Sequence, residues 1–198
     1  MPRPTKGDER RERLLEALRQ LLRDRTLDSI SIGEITRAAG VTRSGFYFYF
    51  PTKAAAVAAL LSDLRDRVVE AGDAWYAGAD NSPGERVRSA VEASVRLWRD
   101  QAPLMVAMLD AAGQDPEVRQ AWLSWIDGFI ERIAARIERD RVEGLVGAGS
   151  APTALATVLM GATLQSMERD VRAVVEGRAM AHDLWEALIE LWYRTLYA

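Results

Sequence analysis

Apolar residues recur every three to four positions through nearly the whole chain, and no stretch alternates strictly between apolar and polar residues within turn-forming boundaries. This pattern predicts an all-α fold. From Asp8 to about Arg25, Leu14, Leu15, Leu18, Leu21 and Leu22 form one stripe opposite a face of Arg and Glu, with Asp8 placed as N-cap. Ser31 and Glu34 have the spacing of a capping box and start a second helix, Ile32 to Ala39, which stops at Gly40. Thr42 caps a third that ends at Phe50, because Pro51 excludes helical geometry from the residue before it. Thr52 caps a fourth that runs to about Gly78.

After the segment ADNSPG, Pro83 and Gly84 introduce a helix to about Asp100, and a short apolar helix follows from Pro103 to Ala112, ended by Gly113 and the Asp115-Pro116 pair. A long helix then spans Pro116 to about Glu143, and the glycine-rich residues Gly144 to Ser150 form a loop. Two last helices, about Pro152 to Glu176 and Ala179 to Tyr197, are parted at Gly177. The reading is one of about nine helices.

Composition narrows the chemistry. The 198 residues include no cysteine and one histidine, which excludes a disulfide framework, a thiolate metal site, a cysteine nucleophile and a histidine metal cluster. No paired carboxylates lie on an apolar face, and His182 sits in a polar helix start where capping or exposure accounts for it; no catalytic residue, metal or cofactor is expected. The 48% hydrophobic and 28% charged residues are those of a soluble globular protein. With no membrane-length apolar run and no signal peptide at the start, a cytoplasmic location without a membrane partner is expected. Charge is unevenly divided. Residues 1–56 carry 11 Lys and Arg against 7 Asp and Glu, a net +4, whereas residues 57–198 carry 15 against 22, a net −7. A basic segment joined to an acidic body suggests that one end meets a polyanion.

The segment that meets this expectation is Ser31 to Lys53, SIGEITRAAGVTRSGFYFYFPTK. Two short helices parted by Ala39, Gly40 and Val41 have the length and composition of a helix-turn-helix, whose second helix enters the major groove of double-stranded DNA. Ile32, Ile35, Ala38, Val41, Phe46 and Phe50 fall where a three-helix core needs them, beneath the leucine stripe. Thr42, Arg43, Ser44, Gly45 and Tyr47 are left facing outward, with Arg43 suited to a bidentate contact with guanine. Gly45 in a helical turn costs about 1 kcal/mol against alanine and reads as permitting close approach to base pairs, or as avoiding a packing clash. Tyr47, Tyr49 and Lys53 are candidates for phosphate contacts, and Thr36 and Arg37 of the first helix complete the DNA-binding set. Phe48 is a candidate for a thymine methyl. Arg3, Lys6, Arg10 and Arg11 belong either to an arm following a minor groove or to a solvated tail.

The runs Gly40-Val41-Thr42 and Phe46 to Lys53 resemble the signature of the TetR/AcrR family, and the FYFYFP-Thr-Lys form with a tryptophan-rich second part is similar to its EthR-type repressors. The resemblance implies a homodimeric repressor with nine helices per protomer, a DNA-binding head at 1–51 and a ligand-binding and dimerisation body at 52–198. Ala54 departs from the pattern, which often has an acidic residue after the lysine.

The body holds all six tryptophans, including Trp75 and Trp185, and several methionines, the ingredients of an adaptable apolar pocket and equally of a plain core. The resemblance implies the pocket. Trp122, Trp125, Ile126, Phe129 and Ile133 form one candidate wall, Met105, Met108 and Leu109 a second, and Met160, Thr163, Leu164 and Met167 a third, with Trp98 and Trp192 completing the set. Where EthR-type pockets carry amides, Met160 and Thr163 stand here, which implies a small apolar ligand oriented by Thr163 and Gln165. In the last helix Leu184, Trp185, Leu188, Ile189, Leu191, Trp192, Tyr193 and Leu196 exceed one stripe, so a second copy or the body's other helices must cover the excess. The functional expectation is a ligand-released repressor of a palindromic operator; the alternative is a helical small-molecule-binding protein with a non-specific or vestigial head.

Overall fold

The computed structural model describes residues 6–62, 64, 82–178 and 182–198, and no strand occurs among the described residues. The helices are α1 (Lys6–Leu22), α2 (Ile32–Ala39), α3 (Arg43–Tyr49), α4 (53–62), α5 (Pro83–Asp100), α6 (Ala102–Gln114), α7 (Pro116–Val142), α8 (Pro152–Val175) and α9 (His182–Tyr197). The protein is all-α, as its periodicity predicts. The expected continuation of α4 to Gly78, Trp75, Arg3 and residues 179–181 lie outside the described residues. No described helix is long and apolar enough to cross a membrane.

Two helix ends differ from expectation. Asp8 lies inside the first turn of α1 rather than capping it, where with Glu9 it meets the positive end of the helix dipole. α6 continues through Gly113 to Gln114, since one glycine weakens a helix without breaking it. A capping box at Ser82 and Glu85 starts α5, the same signal as in α2 and one residue ahead of the expected Pro83 start.

The described residues group into two compact units. The first contains those of 1–65 with Pro103–Trp122, and the second those of 66–102 with Leu123–Ala198. α6 and the start of α7 therefore pack with α1 to α4, so the units do not follow a single cut after residue 51.

In the first unit the leucine stripe of α1 is buried at Leu14, Leu15, Leu18 and Leu22, together with Ile30, Ile35, Phe46, Phe50, Val57 and Leu60. Each such side chain contributes about 1.5 to 3 kcal/mol on burial. Ala39 is buried in place of the expected Ala38, which is exposed, while Ile32 and Val41 are half-buried. α2 is held at both ends. Ser31 Oγ accepts from the Glu34 amide at 3.2 Å, Glu34 Oε2 accepts from the Ser31 amide at 2.9 Å, and Gly40 closes the helix at φ 63°, a left-handed conformation that favours glycine. Lys53 reaches back from the start of α4, its Nζ donating to the carbonyls of Leu27 at 2.8 Å and Ile30 at 2.6 Å. It ties α4 to the loop between α1 and α2.

In the second unit α5 packs on α8 and α9, and α8 on α9. Arg99 of α5 makes a two-pronged contact with the buried carboxylate of Asp170 in α8, at 2.7 and 2.8 Å, and its guanidinium lies 5.8 Å from the ring centre of Trp185 in α9. Arg88 pairs in the same manner with Glu186 at 2.6 and 2.8 Å. Asp140 in α7 pairs with Arg136 at 2.8 Å and accepts from the Tyr197 hydroxyl at 2.6 Å.

Two outcomes follow for the first unit. Arg25 at 2.6 Å and the two donors of Ser31 hold the Glu34 carboxyl at about 2, against the ordinary 4.5. Because the folded state favours the ionised form, this contribution is present above pH 4.5 and is lost as pH falls towards 2. Thermal unfolding followed by circular dichroism should show a wild-type midpoint that drops across that window, and a Glu34→Gln midpoint that starts lower and drops less. Lys53→Met, which strips two carbonyls of a charged donor, should lower stability by about 1 to 3 kcal/mol in denaturant unfolding.

Candidate functional site

The helix-turn-helix presents one polar face. Thr42 caps α3, its Oγ1 accepting from the Gly45 amide at 3.1 Å, while burial of Phe46 and Phe50 turns the opposite side of the helix outward. Thr42, Arg43 and Ser44 are exposed, as are Tyr47 and Phe48, the latter with 81% of its surface free. The Arg43 guanidinium lies 6.0 Å from the ring centre of Tyr47, and Arg37 is exposed at the end of α2. From residue 35 to residue 62 the chain contains no acidic residue, so nothing along this stretch opposes an approaching phosphate. Tyr49 is half-buried, its ring 5.0 Å from that of Phe48 and edge-on to it.

Three residues of the expected DNA-binding set have internal tasks. Thr36 is buried, with its hydroxyl donating to the Gly33 carbonyl at 3.1 Å, because its position in α2 faces the head core. The Lys53 ammonium is directed at the Leu27 and Ile30 carbonyls rather than outward. At Gly45 an added Cβ would stand 2.7 Å from Val41 Cγ1 and 3.2 Å from Thr42 Oγ1. A Cβ at 2.7 Å requires Val41 to shift, and valine is stiff at χ1, so the packing around Gly45 accounts for the glycine without any approach to bases. Lys6, Arg10 and Arg11 lie within α1 instead of an extended arm, and Arg11 is 5.6 Å from the Phe50 ring centre.

The second unit contains a cavity of about 110 Å³. Its described walls come from four helices, with Val87, Ala90, Val91, Ser94 and Trp98 of α5, Trp125, Ile126, Phe129 and Ile133 of α7, Met160, Thr163, Leu164 and Met167 of α8, and Trp192 of α9. α5, α7 and α8 each present residues three or four positions apart and α9 adds Trp192, so the cavity lies where the apolar faces of these helices converge. Trp125 and Phe129 meet edge to face at 5.2 Å. No ionisable side chain is among the described lining residues.

Met105, Met108, Leu109 and Trp122, expected as walls, belong instead to the first compact unit, where Met105, Met108 and Trp122 are buried. An apolar helical stripe suits a core as well as a pocket, and here the core takes it. Trp98 lines the cavity as expected, and the rest of the α5 wall, Val87, Val91 and Ser94 on the same helical face, lies beyond the expected set. Of the two expected hydrogen-bond donors, Gln165 is exposed and outside the lining, and the Thr163 hydroxyl donates to the Leu159 carbonyl at 2.8 Å while accepting from Trp192 Nε1 at 2.9 Å.

Comparison with known proteins matches residues 14–60 to the bacterial regulatory proteins of the tetR family, and residues 87–198 to the C-terminal domain of transcriptional regulator EthR. The HTH-type transcriptional regulator EthR of Mycolicibacterium smegmatis is 26% identical over 195 residues, spanning 96% of this chain and 88% of that one. The EthR of Mycobacterium tuberculosis is 27% identical over 200 residues with the same coverage. Among solved structures, a TetR-family transcriptional regulator from Mesorhizobium loti superposes with a TM-score of 0.73 at 14% identity over 98% of this chain and 100% of that one. Salmonella enterica GusR does so with a TM-score of 0.73 at 19% identity over 97% of each chain, and at such identities the likeness speaks for the fold. With family models matching both its helix-turn-helix and its C-terminal helices, this chain belongs to the TetR family of transcriptional regulators, has a C-terminal domain of the EthR type, and is not an enzyme.

Proposed function

We propose that the chain is a ligand-released repressor that binds a palindromic DNA operator as a homodimer. The observation that carries this reading is the outward face of α3, where Thr42, Arg43, Ser44 and Tyr47 stand exposed on a helix held from behind by Phe46 and Phe50. Arg43 is placed in the first turn of that helix, the part of a recognition helix that reaches base edges, and pairs with guanine through two donors. Arg37, Tyr47 and Tyr49 supply phosphate contacts that hold register. Two-fold pairing puts two copies of α3 in major grooves about 34 to 36 Å apart, and the operator mirrors that symmetry.

For the dimer, support comes from α8 and α9. Val158 is 70% exposed and Leu191 42% exposed, although Trp185, Leu188, Ile189, Trp192 and Leu196 already bury a full stripe of α9. Paired with their two-fold copies, the two helices form a four-helix interface. For release by ligand, support comes from the apolar cavity among α5, α7, α8 and α9. The chain passes between the two compact units more than once, and α6 with the start of α7 belongs to the unit that contains the head, so a change at the cavity has covalent routes into that unit. A ligand shifts the population only as far as it binds the DNA-free form more tightly.

Selection of duplexes from a random pool should yield a palindrome bound about a thousandfold more tightly than a scrambled duplex at physiological salt. Arg43→Ala should cost about 1 to 3 kcal/mol and relax the preference at one base pair per half-site, whereas Arg37→Ala should weaken all sequences alike and reduce the salt dependence. Enrichment of no sequence, with binding that salt abolishes, would leave a non-specific head on a small-molecule-binding protein.

A further inference from the structure

Polar groups inside an apolar helical cavity normally satisfy themselves on their own backbone. A serine or threonine in a helix donates to the carbonyl four residues back, and in α8 Thr157 does so to Thr153, Thr163 to Leu159 and Ser166 to Ala162, at 2.8 to 2.9 Å. Ser94 differs. It lies mid-helix in α5 on the cavity-lining face, between Val91 and Trp98, and its hydroxyl makes no hydrogen bond among the described residues. Thr163, the other hydroxyl of the described lining, has spent its proton on Leu159 and one lone pair on Trp192.

We propose that the Ser94 hydroxyl is the polar contact that orients the ligand in this cavity, and that the ligand is an uncharged, mainly apolar molecule carrying a hydrogen-bonding oxygen. This rests on the cavity being the ligand site of the preceding section. Ser94 both donates and accepts, so an alcohol, carbonyl or ether oxygen finds a partner there. Val87, Val91, Ile126, Ile133 and Met167 offer only apolar contact to the rest of the molecule. A charged group is rejected because no ionisable side chain of the described lining can pair with it, and an unpaired charge in an apolar cavity is strongly disfavoured. A ligand set in place this way has one end fixed at α5 and its apolar body against α7 and α8.

Three molecules of equal size and shape separate these contributions: 2-phenylethanol, propylbenzene and 2-phenylethylammonium. Binding to the full chain is followed by fluorescence of the tryptophans that line the cavity, excited where the probes do not absorb. The wild type is expected to bind the alcohol and the hydrocarbon and to leave the ammonium unbound. In Ser94→Ala the affinity for 2-phenylethanol should fall about five-fold, the worth of one neutral hydrogen bond, while that for propylbenzene holds within about two-fold. Ser94→Thr, which keeps the hydroxyl, should retain the wild-type preference. Equal changes for alcohol and hydrocarbon in Ser94→Ala would overturn the role of Ser94 and leave the cavity as a ligand site. Binding of the ammonium as tightly as the alcohol would overturn the uncharged ligand. Failure of the wild type to bind either neutral probe would overturn the cavity reading itself and this inference with it.

Discussion

A helix of seven residues does not hold its shape in water, because the cost of nucleating it exceeds what so few backbone hydrogen bonds return. α3 has that length, and its outward face is the one the DNA-binding reading requires. What keeps it helical is burial of Phe46 and Phe50 with the leucine stripe of α1 and Ile35 of α2, aided by the Thr42 cap. The same packing sets which residues face outward, since turning Phe46 and Phe50 inward leaves Arg43, Ser44, Tyr47 and Phe48 no other side. Gly45 belongs to this constraint as well, because a side chain there meets Val41 in the turn. Stability of the head and the shape of its outward face are therefore one arrangement, and a core substitution in α1 would reach that face through the pitch of α3.

The second unit keeps its strong polar contacts apart from its cavity. Arg99 with Asp170 and Arg88 with Glu186 tie α5 to α8 and α9, and none of the four lines the cavity. The interior is thus left to Trp, Phe, Ile, Leu, Val and Met, whose contacts are non-directional and tolerate different occupants. Specificity in such a space comes from the few hydroxyls and indole N–H groups available. The Trp192 to Thr163 hydrogen bond spends two of them on joining α9 to α8, so a helix that also carries the exposed Leu191 is fastened at the cavity wall.

The sequence was most informative where its signals act over a few residues. The Ser31 and Glu34 capping box, the Gly40 stop, the Thr42 cap and the break at Pro51 each depend on neighbours within four positions, and each is found where the spacing places it. The same kind of signal stands at Ser82 and Glu85, where it starts α5. The pocket itself is what the resemblance implies, and periodicity then places the α7 face of the cavity. Periodicity does not distinguish burial in one unit from lining in the other, so Met105 and Met108 read as a wall although they are buried in the unit of the head. An apolar stripe states that a face is covered and is silent about what covers it.

By itself, then, the sequence determined the order of the helices, the caps of α2 and α3, the helix-turn-helix with its outward residues, and the family that these identify. Only the tertiary structure decided that Lys53 and Thr36 turn inward, that α6 joins the head, and that Ser94 is left with an open hydroxyl in the cavity wall. The reason is the reach of the interactions. A cap or a turn is settled by residues adjacent in the chain, whereas the Lys53 ammonium is satisfied by carbonyls 26 and 23 positions earlier, and the Trp192 indole by a hydroxyl 29 positions earlier. Partners at such separations are chosen by packing, which no local pattern encodes.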